Sequence, residues 1–131
     1  MRSPRILAAV AAAVSMSWAG TAVAQGQACP DGARALTAGT AVTDSVAERP
    51  DVWKAEGVGA GAAVELAAEG GVRVTIFKQE EAGTSGRASC HALGTGEAGA
   101  HRLTEPGTYF FQIERGPDAS GAIRYSLQIR G

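Results

Sequence analysis

Between Pro106 and Arg115 the chain alternates with a period of two. Tyr109, Phe111 and Ile113 fall on one face, and Phe110, Gln112 and Glu114 on the other. Pro106-Gly107 punctuates the start, so the run predicts a central β-strand with one apolar face on a core, as in an antiparallel sheet. The same period recurs elsewhere. Val64, Leu66 and Ala68 alternate with Ala63, Glu65 and Ala67. Val72, Val74 and Ile76 alternate with Arg73, Thr75 and Phe77, and Ile123, Tyr125, Leu127 and Ile129 with Arg124, Ser126, Gln128 and Arg130. Shorter strands are predicted over Ala41–Val46, Val52–Ala55 and Ala88–Leu93, with Trp53 and Ala55 sharing the core-facing side of theirs, and His101–Leu103 leads into the Pro106-Gly107 turn. Turns fall at Ala38-Gly39-Thr40, Gly57–Gly61, Gly94–Gly99 and Gly116–Gly121, and a polar loop over Glu80–Arg87. Gly70-Gly71 between two alternating runs reads as a hairpin, and the last two strands are expected to pair as another. No stretch after the first 24 residues shows a 3.6 period. Seven or eight turn-separated strands then predict an all-β antiparallel sandwich.

The first residues change the picture of where the chain works. Arg2 and Arg5 precede an apolar run from Ile6 to Ala13, and small residues end in Ala22-Val23-Ala24. A basic start, a short apolar stretch and an A-x-A site make residues 1–24 a signal peptide, with secretion to the periplasm or beyond and no membrane insertion after cleavage. Gly26-Gln27-Ala28 before Cys29 lacks the apolar residue of a lipobox. Removing 24 of the 131 residues leaves 107, enough for one core that buries roughly 65% of the unfolded chain's surface. Residues 25–35 read as a tail and 36–131 as the sandwich domain. The remaining charge is 10 basic against 13 acidic residues, or −3, and scattered, which argues against a nucleic-acid binder. Ten arginines against two lysines, with no asparagine, point to the base composition of a bacterial genome. Cys29 and Cys90 are the two cysteines of a chain addressed to an oxidising compartment, so a disulfide is expected to tie the tail to the middle of the domain. The closed loop of about 60 residues would contribute about 4 kcal/mol in the chain-entropy model.

The order of these pieces carries a resemblance. Ala38-Gly39-Thr40 to Val46, Asp51-Val52-Trp53-Lys54, Gly61 to Leu66, Val72 to Phe77, Glu105-Pro106-Gly107-Thr108-Tyr109-Phe110-Phe111-Gln112-Ile113 and Tyr125-Ser126-Leu127-Gln128-Ile129 together resemble the bacterial pre-peptidase C-terminal domain family. The Gly-Thr-Tyr strand and the closing Tyr-x-Leu-x-Ile are its most specific parts. The resemblance implies a jelly-roll-like β-sandwich of the kind that follows the catalytic domain of secreted peptidases, non-catalytic and sometimes an aid in binding substrate or calcium. Here it stands without a peptidase. Arg49 and Val72-Arg73 occupy positions where that family usually carries acidic residues, which weakens an inherited calcium site.

Candidate chemistry is sparse. His91 and His101 are the only histidines, and G-x-S-x-G, H-E-x-x-H and Walker signatures are absent. Ser85 and Ser89 lie near His91. Alternation puts Ser89 and His91 on one face, with no acid in the sequence around them to orient the imidazole, so two surface histidines are expected rather than a catalytic pair. Asp44, Glu48 and Asp51 could ligate a hard cation, but without EF-hand spacing they read as a solvated acidic loop. No metal site or cofactor motif is assigned. For binding, Phe110 points away from the core face beside Gln112, and Arg124, Gln128 and Arg130 share the outer face of the last strand. Phe110 and Arg124 are therefore the candidate binding residues, on strands expected to be adjacent. A loop or the second sheet's edge over Phe110 is the competing expectation. The reading is a secreted, non-catalytic binding or accessory module for an unidentified protein, peptide or polysaccharide of the cell envelope. A small protease inhibitor presenting Gly83–Arg87 is the alternative, and a small hydrolase the third.

Overall fold

In the computed structural model, residues 27–80 and 89–131 are described. Residues 1–24, expected to be a signal peptide, Ser85 and the Gly83–Arg87 loop of the inhibitor alternative lie outside them. Ten strands follow in order: β1 (Gln27–Ala28), β2 (Arg34–Ala35), β3 (Val42–Val46), β4 (Asp51–Val58), β5 (Ala63–Ala68), β6 (Val72–Glu80), β7 (Ser89–Glu97), β8 (Gly99–Arg102), β9 (Gly107–Arg115) and β10 (Ile123–Arg130). They form a six-stranded sheet ordered β1-β7-β6-β9-β4-β2 and a four-stranded sheet ordered β3-β10-β5-β8. All pairs are antiparallel except β2 with β4. The expected sandwich is present, with ten strands in place of seven or eight. The additional ones are β8, where the sequence predicts only a connection, and β1 and β2, two-residue strands in the tail that periodicity could not reveal.

β9 is central as expected, hydrogen-bonded to β6 on one side and β4 on the other. Tyr109, Phe111 and Ile113 face inward against Trp53, Ala55, Val72, Val74 and Ile76. The other sheet contributes Val46, Val64, Leu66, Leu103, Tyr125, Leu127 and Ile129 to the same cluster. Alternation thus placed the inward set correctly, because a half-buried strand must put every second side chain in the core. Val58 breaks the parity of β4 and is still buried. Gly57 adopts φ 68°, and the register slips by one residue between Ala55 and Val58. The bulge turns Val58 back into the core, and glycine tolerates the left-handed backbone it needs.

Both expected hairpins are corrected. β5 and β6 lie in different sheets, so Gly70-Gly71 is a corner between layers. Likewise β9 and β10 do not pair: β10 lies between β3 and β5 in the smaller sheet. The Gly116 amide donates to the Gly71 carbonyl at 2.8 Å, which ties the two corners together. In a sandwich, consecutive strands that switch sheets each bury an inner face, whereas a local hairpin leaves both strands in one layer. The expected turn over Gly94–Gly99 is corrected as well. β7 continues through Glu97, with a bulge opposite Ile76 and Phe77 that absorbs one residue.

Small residues at the end of β7 serve the closure of the sandwich edge. His101 on β8 reaches across to β7, where its Nε2 lies 2.8 Å from the Glu97 carbonyl oxygen. A Cβ added at Gly96 would meet the His101 ring at 2.5 Å. The expectation of a plain surface histidine is therefore corrected: His101 is half-buried and seals the gap between the sheets. Gly96→Ala should lower stability by about 1–3 kcal/mol through overpacking. In a His101→Ala background the same change should be nearly neutral, and thermal unfolding of the four proteins checks the coupling.

Candidate functional site

The two predicted binding residues do not come together. Phe110 is 5% exposed and packs with Phe77, Cys90, Cys29, Ala33 and Val52 in a second, smaller apolar cluster on the outer face of the six-stranded sheet. Phe110 does point to the outer face as alternation required, but it is not exposed there: the competing expectation of a covering segment holds, and the cover is the N-terminal segment. Arg124 is exposed on the outer face of the other sheet. The two residues lie on opposite sides of the sandwich, not on adjacent strands. The Cys29–Cys90 disulfide is present, with the Cα atoms 4.9 Å apart and 61 residues of separation.

The acidic residues proposed for a cation are also arranged differently from a solvated loop. The Arg34 guanidinium sits between Asp44 and Asp51, with Nη1 2.5 Å from Asp44 Oδ2 and Nη2 3.5 Å from Asp51 Oδ2. It lies 4.1 Å from the centroid of the Trp53 ring. Glu48 lies on the exposed connection between β3 and β4. Beneath Arg34, Trp53 Nε1 donates to the Tyr125 hydroxyl at 2.8 Å, and that hydroxyl donates to Asp51 Oδ2 at 2.6 Å. Trp53 and Asp51 belong to one sheet and Tyr125 to the other, so the chain of bonds crosses the sandwich. The hydrogen bond from Arg34 holds the Asp44 carboxyl below its ordinary value, helped by the Ser45 amide. Burial, then donation to Asp51, pushes the Tyr125 hydroxyl well above its ordinary value. The sequence named both aspartates but not Arg34, since nothing in its spacing shows that a two-residue strand carries it there.

The histidine reading needs a further correction. Across the β6–β7 pair the Glu80 carboxylate faces His91 Nδ1, so the imidazole does have an acidic neighbour. Glu80 pairs with Ser89 in the register, which brings to the same face an acid that linear proximity hid.

Among the described residues, none lies over the outer face of the four-stranded sheet. Register brings Thr43, Ser126 and Ala67 into one row and Ser45 beside Arg124, with Ala63 between Arg130 and Arg102. Small side chains leave this face nearly flat. Arg102, Arg124 and Arg130 stand on it against Glu65, which pairs with Arg130 at 3.0 Å. Beside Arg124 a shallow depression of about 250 Å³ is lined by Thr43, Ala67, Glu69 and Ser126. The arrangement can hold an anionic group by charge and hydrogen bonding, and it contains no nucleophile paired with a base.

Against known structures, the chain superimposes on the pre-peptidase C-terminal domain of a collagenase from Bacillus anthracis with a TM-score of 0.57 and 15% identity, over 77% of this chain and 97% of that one. It shares the fold of that domain. The resemblance noted in the strand order is thus matched in three dimensions, at an identity that speaks for the fold alone. PliG, a periplasmic inhibitor of g-type lysozyme, is a more distant likeness. The Salmonella Typhimurium protein gives a TM-score of 0.44 at 10% identity, over 73% of this chain and 98% of that one. The Aeromonas hydrophila protein gives 0.41 at 15%, over 75% and 99%. No protein-family model and no curated protein matches the sequence.

Proposed function

We propose that the chain is a secreted, non-catalytic binding module that presents the outer face of its four-stranded sheet to an anionic partner of the cell envelope, an acidic protein segment or an acidic polysaccharide. One observation carries the reading. The apolar part of the six-stranded sheet's outer face is covered by the N-terminal segment, while the outer face of the four-stranded sheet, over which no described residue lies, is set with Arg102, Arg124 and Arg130. Multiple arginines on a rigid sheet meet carboxylates without reorganising the backbone, and guanidinium groups suit them geometrically. Export is supported by the signal segment and by the disulfide, which persists in oxidising compartments. The fold shared with a pre-peptidase C-terminal domain supports an accessory role.

Polyglutamate and polygalacturonate serve as probes, with binding followed by titration at low and raised salt. Arg102→Ala/Arg124→Ala should leave thermal unfolding nearly unchanged and weaken binding about tenfold or more, with the remainder falling as salt screens the charges. Binding of both polymers unaltered by the double substitution would discard this face. Hydrolysis of a general esterase or glycosidase substrate that disappears with His91→Ala would overturn the non-catalytic reading.

A further inference from the structure

The N-terminal segment crosses a whole sheet. β1 pairs with β7 at one edge of the six-stranded sheet and β2 pairs with β4 at the other, so the residues between them pass over the outer faces of β6 and β9. Below the crossing lie Phe77 and Phe110, direct cross-strand partners, which with Val52 form an apolar patch on a face that is otherwise polar, with Arg73, Thr75, Thr95, Gln112 and Glu114. Cys29 and Ala33 pack onto that patch, and Phe77 is left 7% exposed. Without the segment these aromatics would face solvent.

The segment's two ends are held very differently. At its C-terminal end Leu36 is buried in the main core, its amide donates to the Lys54 carbonyl at 2.8 Å, and Arg34 is clamped by Asp44 and Asp51. At its other end the ordered attachment is the two-residue β1 and the Cys29–Cys90 bond. Between them Pro30, Asp31 and Gly32 make no backbone hydrogen bond to the strands below, among the described residues. A two-residue pairing and a few apolar contacts are a weak tie, and the disulfide supplies most of the hold by keeping the end at high effective concentration.

We propose that residues 27–33 are a redox-released strap, hinged at Arg34–Leu36, whose opening uncovers the Phe77–Phe110 patch while the sandwich stays folded. The reductant is a dithiol. Its thiolate attacks Cys29, the half-buried sulfur, forming a mixed disulfide and expelling Cys90 as a thiolate that takes up a proton. The second thiol of the reductant then displaces Cys29, so one protein disulfide and one dithiol become two protein thiols and one cyclic disulfide. Released from its tether, the strap exchanges a covered apolar face for a free one.

The test uses the chain from Gln25 onward, treated with dithiothreitol in native buffer. Three readings are compared with the oxidised protein: fluorescence of the apolar dye ANS, alkylation of Cys90 by iodoacetamide, and cooperative thermal unfolding followed by Trp53. The strap predicts that dye fluorescence rises several-fold, that Cys90 becomes alkylated in the native protein, and that one cooperative transition persists at a lower midpoint. Cys29→Ser/Cys90→Ser should show the dye signal without reductant, and adding Phe110→Ser to it should remove most of that signal. A reduced protein that stays dark to the dye with Cys90 unreactive would show that the segment holds without its bond. Reduction that abolishes the transition altogether would show that strap and sandwich are one unit. Either result overturns the proposal, as does a dye signal indifferent to Phe110→Ser.

Discussion

Replacing Trp53 with alanine is expected to cost about 3–5 kcal/mol, a large share of the roughly 5–15 kcal/mol that holds a domain of this size folded. The indole is 6% exposed and belongs to the main core. Its loss leaves a large void in a layer that cannot collapse, because the strands on both sides are fixed by their ladders. Two further contacts disappear with it. The Tyr125 hydroxyl loses its donor, so the bridge between the sheets keeps only its Asp51 end, and Arg34 loses the ring beneath it. In the chain from Gln25 onward Trp53 is the sole tryptophan, so its own fluorescence reports the environment. Iodide should quench it poorly in the native protein and freely after unfolding. Denaturant titration of Trp53→Ala gives the cost, and a value under about 1 kcal/mol would mean that the site tolerates the void or that the ring is not buried in solution.

The second large effect is expected at alkaline pH. The chain's two tyrosines are both core residues, Tyr109 at 1% and Tyr125 at 2% exposure. Burial raises both hydroxyls above the ordinary value of 10.0. For Tyr125 donation to the Asp51 carboxylate adds to the rise while the Trp53 N–H opposes it, and for Tyr109 the bond to the Glu105 carbonyl opposes it. A group whose folded pKa is raised binds its proton more tightly in the native state. Its contribution is therefore fully present below pH 10.0, the unfolded value, and is lost as pH rises toward the folded one. Two such groups make the native state intolerant of high pH. Phenolate absorbance should stay silent as pH passes the ordinary tyrosine range and then appear together with loss of structure, in one transition. Tyr125→Phe should remove the larger part of this sensitivity. At neutral pH the same change should cost about 1–3 kcal/mol, because the Trp53 N–H and Asp51 lose a buried partner. Phenolate formed at ordinary tyrosine pH with the sheets intact would contradict the buried bridge.

What the sequence determined by itself is what depends on local periodicity and on residue type. Alternation placed Tyr109, Phe111, Ile113, Val64, Leu66, Val72, Val74, Ile76, Tyr125, Leu127 and Ile129 on core faces, since a strand's side chains have only two directions. It put Trp53 and Ala55 in the core for the same reason. Two cysteines in a chain expected to be exported led to the bond that the structure contains, because only one pairing is possible. The strand order was enough to show a likeness to a fold later matched in three dimensions. What alternation cannot express is which sheet each strand enters and what covers a strand's second face. Gly70-Gly71 and the stretch from Gly116 to Gly121 have hairpin composition, yet both carry the chain between layers, because pairing partners are chosen by the burial of the whole sandwich. Phe110 and Phe77 lie on a face that local reasoning makes outward, and they are buried by a segment far away in sequence. Arg34 between Asp44 and Asp51, Glu80 opposite His91 and His101 over Gly96 depend in the same way on register and on layer closure. Such contacts form only when distant strands meet, and for that reason the tertiary structure alone decided which strand faces are buried and by what.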